Sequence, residues 1–441
     1  MGLPDQPQPN DGLTKSKMNA LSSIEESAIS VNASKVISRL QENGYQAYLV
    51  GGCIRDLLLR KTPKDFDIAT DATPEEVREL FRNSRIIGKR FRIVHVRFGR
   101  EIIEVTTFRG PHAEEYDENH SDAGMTLNDN VYGTFEEDVF RRDFTMNAIY
   151  FDPQGKDMID LAGGTADIEN QMIRTIGNPA GRLREDPVRM LRAIRFQAKL
   201  GFALESDLKS SIGSLGHLIQ DVPAARLFEE VLKLFLSGYG TAAFESMMEN
   251  GMYGWLFPDS KRSMESNATE ELVRLALNST DQRIEKRMPV TPAFIYAAVL
   301  WYPFVEEKER LEQAGEINHA AANEAANNVI SKQQLFTSIP KRFSGPMREI
   351  WFLQSRLPAR FGQKPDRTMD HKRFRAAYDF LLLRELAGEQ TEQLGEWWTE
   401  YQEATDERKL DMKQASNNGR QRKRKRKPRK KSSSNDNDLL N

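Results

Sequence analysis

Residues 47–70 read AYLVGGCIRDLLLRKTPKDFDIAT, and this stretch decides the fold. Ala47-Tyr48-Leu49-Val50 is a short apolar run of the kind a buried strand uses. It runs straight into Gly51-Gly52, and a helix-like segment, Ile54 to Leu59, follows. After Pro63, Phe66-Asp67-Ile68-Ala69 reads as a second strand. A Gly-Gly turn between strand and helix lets the backbone approach a phosphate, because no Cβ intervenes and the helix start offers free N–H groups. Arg55 could clamp a triphosphate oxygen there. Taken singly, such a turn is only a tight turn. Asp65-Phe66-Asp67 adds weight to it. On a strand, i and i+2 share a face, so the two carboxylates would stand about 6–7 Å apart. Like charges that close repel unless a cation or protons intervene. Hard oxygen ligands suit Mg²⁺, which is completed by substrate phosphates and water.

Outward from this stretch, order is expected from near Ser34. Val36, Leu40 and Tyr45 suggest a short amphipathic helix stopped by Gly44. Downstream, Thr73 is a good N-cap, Pro74 suits the first helical position, and Glu75 and Glu76 favour the first turn of a helix reaching Phe81. Ile93 to Phe98 and Ile102 to Phe108 read as strands joined at Gly99-Arg100. Residues 110–133 are polar and turn-rich and read as a mobile loop. The pattern changes at Arg184, where helical periodicity takes over (Val188, Leu191, Ile194, Ala198, then Leu227, Val231, Leu234, Phe235). The fold class is α+β: a mixed sheet with flanking helices ending near Gly177, then a mostly helical region to about residue 400.

A two-metal phosphoryl-transfer site usually wants a third acid. Glu104, on its strand between Ile103 and Val105, is one candidate; Asp143, in Arg141-Arg142-Asp143-Phe144-Thr145, is the other. Asp143 also suits an N-cap for a following helix, a role compatible with the first. Arg142 and Asn147 could hold the ribose or the phosphates. Pro187 suits a first helical position, which makes Asp186 an N-cap and sets Asp186, Arg189 and Arg192 along one helical face. His95, on a strand, reads as structural; His112 and His120 lack metal-ligand spacing.

The ordered set GGCIRD, DFD, EVTTFRG, RRDFTMNA, DLAGG and EDPVRMLRAIRF resembles the class II nucleotidyltransferases, the bacterial poly(A) polymerases and CCA-adding tRNA enzymes. The resemblance implies a polymerase-beta-like head in which Gly51, Gly52 and Arg55 bind the triphosphate and Asp65 and Asp67 hold two Mg²⁺ ions. It implies that Asp143, with Arg142 and Asn147, contacts the nucleotide sugar and supports catalysis. Gly163 and Gly164 would form a head–neck hinge, and Asp186 with Arg189 would read the incoming base. Within the family, Ile86 to Val96, Ser338 to Phe343, Arg348 to Trp351 and Arg373 to Asp379 are similar to the poly(A) polymerase branch. The expected organisation is a disordered N-terminus (1–30), a catalytic head (31–180), a helical neck (181–245), a helical RNA-binding body (246–410) and a disordered basic tail (411–441). The expected activity is addition of AMP from ATP to RNA 3′ ends, in mRNA 3′ polyadenylation and RNA turnover. The rivals are CCA addition and a catalytically inactive RNA-binding adaptor. Candidate protein partners are RNA-decay or RNA-chaperone proteins.

Composition agrees. The 441 residues carry a net charge of −2, but the charge is segregated. The block Arg420, Arg422, Lys423, Arg424, Lys425, Arg426, Lys427, Arg429, Lys430 and Lys431 holds ten positive charges, and removing them from −2 leaves −12 on the rest. An acidic body with a basic tail points to a polyanionic partner, and the tail is expected to grip RNA backbone. Cys53 is the only cysteine, which excludes an intrachain disulfide and a thiolate zinc cluster. No apolar stretch approaches the roughly 18 residues a membrane span needs, and the N-terminus lacks a secretory apolar core, so a cytoplasmic protein is expected.

Overall fold

The computed structural model describes residues 24–88, 92–110, 131–265 and 268–426, the last ten of these as backbone. The expectations for residues 1–23, for the loop 111–130 and for the tail beyond Arg426 lie outside the described residues. The chain divides into two compact units. The first ends at Asp186 and takes in Phe202–Leu208; the second comprises Pro187–Gly201 and the chain from Lys209 onward.

In the first unit seven strands form one mixed sheet. They are β1 (Ala47–Val50), β2 (Asp67–Thr70), β3 (Ser84–Ile87), β4 (Ile93–Phe98), β5 (Glu101–Thr107), β6 (Ile149–Asp152) and β7 (Asp157–Asp160). Their order is β3-β4-β5-β2-β1-β6-β7. Among the described residues of this sheet, β2 and β5 are the only neighbours that pair in parallel. The register aligns one row of side chains across the sheet: His95, Glu104, Asp67, Val50 and Tyr150 are successive partners. Directly paired residues point to the same face, so the sheet itself brings the acids of β2 and β5 together.

Helices flank this sheet: α1 (Val31–Glu42), α2 (Gly52–Leu58), α3 (Pro74–Leu80), α4 (Phe135–Arg141), α5 (Gly164–Glu169) and α6 (Pro179–Glu185). α1 starts earlier than the periodicity suggests, because the Ser30 side chain accepts from the backbone N–H groups of Asn32 and Ala33. Its inner face is Ala33, Val36, Ile37 and Leu40; Tyr45 falls beyond its end. α3 follows the predicted chemistry, with a capping box between Thr73 and Glu76.

Three expectations are corrected. Asp143 does not cap a helix: a single 3₁₀ turn, Thr145–Asn147, follows it and leads into β6. Asp186 is the C-cap of α6, and Pro187 takes the N-cap of α7 (Val188–Leu200). Gly163 and Gly164 open α5 inside the first unit, rather than at the division near Asp186.

The second unit is helical, from α7 to a last helix, Asp406–Arg426, whose backbone enters the basic run. Its core is aromatic. Trp398 is fully buried among Leu357, Phe374, Tyr378, Tyr401 and Met412, and its indole N–H donates to the Leu357 carbonyl at 3.1 Å. Among the described residues no helix is long and apolar enough to cross a membrane.

Candidate active site

Gly51 is the centre of the site. Its φ of +80° lies in the left-handed region that favours glycine, which lets β1 turn sharply into α2. A Cβ placed there would meet Arg142 Nη1 at 3.7 Å, Asp67 Oδ2 at 3.9 Å and the Asn147 carbonyl oxygen at 4.0 Å. The bare Gly51 peptide therefore faces a carboxylate, a guanidinium and a carbonyl brought in from three other segments.

Asp67 opens β2, while Asp65 precedes the strand rather than sharing it. Asp65 therefore does not share a strand face with Asp67, yet it still acts on it electrostatically. Burial, repulsion from Glu104, and more weakly from Asp65, push the Asp67 carboxyl up to about 6 against the pull of Arg142. Glu104 is the register partner of Asp67, and on its other side Glu104 Oε1 lies 3.3 Å from His95 Nε2. His95, read from the sequence as structural, is thus the neighbour of an acid. A buried carboxylate pushed up by its burial and by neighbouring acids is short of positive charge, and this fits a divalent cation. Among the described residues no group of three or more His, Cys, Asp or Glu side chains is arranged to hold a metal ion. A magnesium site completed by substrate phosphates and water needs none.

Behind Gly51, a chain of hydrogen bonds links the remaining candidates. Arg55 is buried, donating from Nε and Nη2 to Asp56 Oδ1 (2.9 and 2.6 Å) and from Nη1 to Asn147 Oδ1 at 2.7 Å. Asn147 Nδ2 in turn donates to Asp143 Oδ1 at 3.4 Å, and that oxygen also accepts from the Phe144 N–H. Arg55 therefore orients Asn147 and, through it, Asp143. Gly52 lies against this guanidinium: a Cβ there would stand 3.5 Å from Arg55 Nη2, an ordinary contact distance. Cys53, beneath them, is buried; desolvation pushes its thiol up to about 12, so it stays protonated and inert.

Arg142 is held from three sides. Its Nε donates to the Tyr150 hydroxyl at 2.7 Å, its Nη2 to Asp138 Oδ2 at 3.0 Å and its Nη1 to the Asn147 carbonyl at 3.5 Å. Burial opposes its charge, but Tyr150 and Asp138 outweigh that and hold it firmly protonated. Sequence reasoning missed Asp138 and Tyr150. The only signal was the i,i+4 spacing of Asp138 and Arg142, which usually marks an exposed helix pair.

Of the remaining candidates, Asp186 closes α6 in the first unit and Arg189 lies in the first turn of α7 in the second. The side chains of Arg420, Arg422, Lys423, Arg424, Lys425, Arg426, Lys427, Arg429, Lys430 and Lys431 lie outside the described residues.

Comparison with known proteins finds relatives over most of the chain. Family models match residues 47–174 ("Poly A polymerase head domain"), 201–264 ("Probable RNA and SrmB- binding site of polymerase A") and 314–431 ("Polymerase A arginine-rich C-terminus"). The chain is 44% identical to poly(A) polymerase I of Haemophilus influenzae over 392 residues, 87% of each chain. It is 45% identical to poly(A) polymerase I of Escherichia coli O6:H1 over 384 residues, 85% of this chain and 83% of that one. A CCA-adding enzyme of Geobacillus is 40% identical over 221 residues, 50% of this chain and 53% of that one. Among solved structures, the Bacillus stearothermophilus CCA-adding enzyme in complex with CTP aligns over 88% of this chain and 82% of that one, with a TM-score of 0.51 and 26% identity.

Proposed function

The chain belongs to the poly(A) polymerase family, and we propose on that footing that Asp65 and Asp67 hold two Mg²⁺ ions, with Glu104 beside them. The enzyme is a polynucleotide adenylyltransferase: it adds AMP from ATP to the 3′-hydroxyl of RNA and releases pyrophosphate. The observation that carries the branch assignment is coverage. Poly(A) polymerase relatives match 85–87% of the chain, whereas the CCA-adding relative from Geobacillus matches half of it.

The geometry around Gly51 supports the roles proposed for its neighbours. The Gly51 peptide, without a Cβ, accepts the triphosphate at close range, and Arg142 beside it pairs with a phosphate oxygen. Arg55 fixes Asn147, so that Asn147 and Asp143 meet the nucleotide sugar as one hydrogen-bonded unit. Asp65, Asp67 and Glu104 gather the negative charge that a divalent cation requires. Divalent cations bound there would make the attacking 3′-hydroxyl more acidic and neutralise charge on the departing pyrophosphate. Asp186 and Arg189, one an acceptor and one a donor, read the incoming base. The basic run from Arg420 to Lys431 holds RNA by its backbone, with little preference for sequence. The presence of Asp65, Asp67 and Asp143 together speaks against an inactive adaptor.

The test offers ATP and CTP separately, with Mg²⁺, to a generic RNA and to a tRNA lacking its 3′ end. Long A-tails on the generic RNA with little use of CTP are expected. Short additions confined to the tRNA and drawing on CTP would move the chain to the CCA-adding branch, and no incorporation at all would favour the adaptor.

A further inference from the structure

We infer that Asp138 and Tyr150 are positioning residues for the Arg142 guanidinium, and that ATP affinity depends on them although neither faces the Gly51 peptide. This rests on the reading of Arg142 as the group that meets the triphosphate.

The geometry is a closed triangle. Tyr150 donates its hydroxyl proton to Asp138 Oδ2, and the hydroxyl oxygen accepts from Arg142 Nε at 2.7 Å. Asp138 Oδ2 also accepts from Arg142 Nη2 at 3.0 Å, while Asp138 Oδ1 accepts from the Arg109 backbone N–H at 3.1 Å. Because the carboxylate takes the hydroxyl proton, the phenol oxygen can only accept from the guanidinium. Two edges of Arg142 are thereby consumed, which leaves Nη1 as the edge beside Gly51. A guanidinium is a planar fork, so fixing two of its nitrogens fixes the third.

The supports are themselves immobile. Asp138 and Tyr150 are buried, and the Tyr150 ring is packed edge-on against Phe135 with centroids 4.7 Å apart. The guanidinium carbon of Arg142 also lies 5.0 Å from the centre of the Tyr150 ring. A buried ion pair of this kind is poor evidence for stability alone, since desolvation offsets much of the attraction. Its yield here is orientation: with two edges fixed, the guanidinium keeps its third beside Gly51 rather than closing on Asp67.

The experiment titrates Mg·ATP into the full-length protein without RNA, by calorimetry, and forms a double-mutant cycle from Tyr150→Phe and Arg142→Gln. Asp138→Asn provides a second route to the same question, and thermal melting confirms that each variant is folded. Tyr150→Phe keeps the ring under the guanidinium and removes only the hydroxyl. It should weaken ATP about tenfold, the scale of one charge-assisted hydrogen bond. In the Arg142→Gln background the same change should have no further effect, because its target is gone. RNA affinity should be unchanged in Tyr150→Phe and in Asp138→Asn. Equal weakening by Tyr150→Phe with and without Arg142 would overturn the inference, as would undiminished ATP binding in Tyr150→Phe and Asp138→Asn while Arg142→Gln binds poorly. If Arg142→Gln itself binds ATP normally, the assignment of Arg142 to the triphosphate falls, and the positioning role falls with it.

Discussion

Burial, Glu104 and Asp65 together push the Asp67 carboxyl up to about 6 from its ordinary 3.8, against the pull of Arg142. Between those two values the unfolded chain has lost the proton while the folded chain keeps it. The unfolded state then binds fewer protons, so stability falls as the pH rises through that window, and the cost is fully present above about pH 6. Asp67→Asn removes the cost. In chelator at pH 7 this variant should be more stable than the wild type by roughly 1–2 kcal/mol, and the difference should close as the pH falls below about 4. Mg²⁺ should stabilise the wild type but not the variant, and the variant should incorporate no AMP. Chemical denaturation across pH, with and without Mg²⁺, measures all of this. A variant less stable than the wild type at pH 7 without metal would mean that Asp67 is not electrostatically strained. Functional sites commonly trade stability in this way.

At the scale of elements, the site depends on how α5 buttresses the turn that carries Asn147. A Cβ on Gly164 would come within 2.2 Å of the Thr145 carbonyl oxygen and 2.9 Å of Ile149 Cγ1. The Thr145 hydroxyl donates to Asp167 on the same helix at 2.6 Å. Gly164→Ala should therefore cost about 2–4 kcal/mol by urea denaturation and lower activity as the Asn147 turn shifts. A loss under roughly 0.5 kcal/mol would mean that α5 gives way freely. Local chemistry made β1, α3 and the β4–β5 hairpin legible in advance, because Gly51-Gly52, Thr73-Pro74 and Gly99-Arg100 are punctuation read within a few residues. β3, β6 and β7 were not legible. Ser84–Ile87 leads into Gly88 and a basic stretch that reads as a turn, and Asp157–Asp160 is half acidic; both lie at sheet edges. The site divides in the same way. Gly51 and Asp67 announce themselves as motifs, whereas Tyr150 reads as an ordinary core aromatic until the sheet sets it beside Arg142.

On the scale of the whole chain, the decisive quantity is the asymmetry of charge. Without the basic run the chain carries −12, a net repulsion toward RNA. The place to cut it is set by packing rather than composition. Met412 is buried with Leu357, Trp398 and Tyr401, and Lys413 Nζ lies 2.9 Å from Asp366 Oδ2. Tyr401 donates its hydroxyl to the other oxygen of the same carboxylate. Removing 412–441 would therefore strip part of a hydrophobic core along with the charges, and a lower melting temperature would confuse the result. Removing 419–441 keeps Met412 and Lys413 and deletes all ten positive charges of the run. Each phosphate the run neutralises contributes about 0.7 to the slope of log affinity against log salt on single-stranded RNA. If half or more of the ten engage, the full chain should lose about 3.5–7 units of slope on truncation. The shortened enzyme should bind RNA weakly and nearly independently of salt, because screening then relieves repulsion as fast as it weakens the remaining contacts. ATP affinity should not change, since none of the residues assigned to the nucleotide lies in the deleted segment. Filter binding across a salt series reads the slope directly. A truncated enzyme with the full slope would place the phosphate contacts elsewhere on the chain, and the basic run would then be no RNA grip.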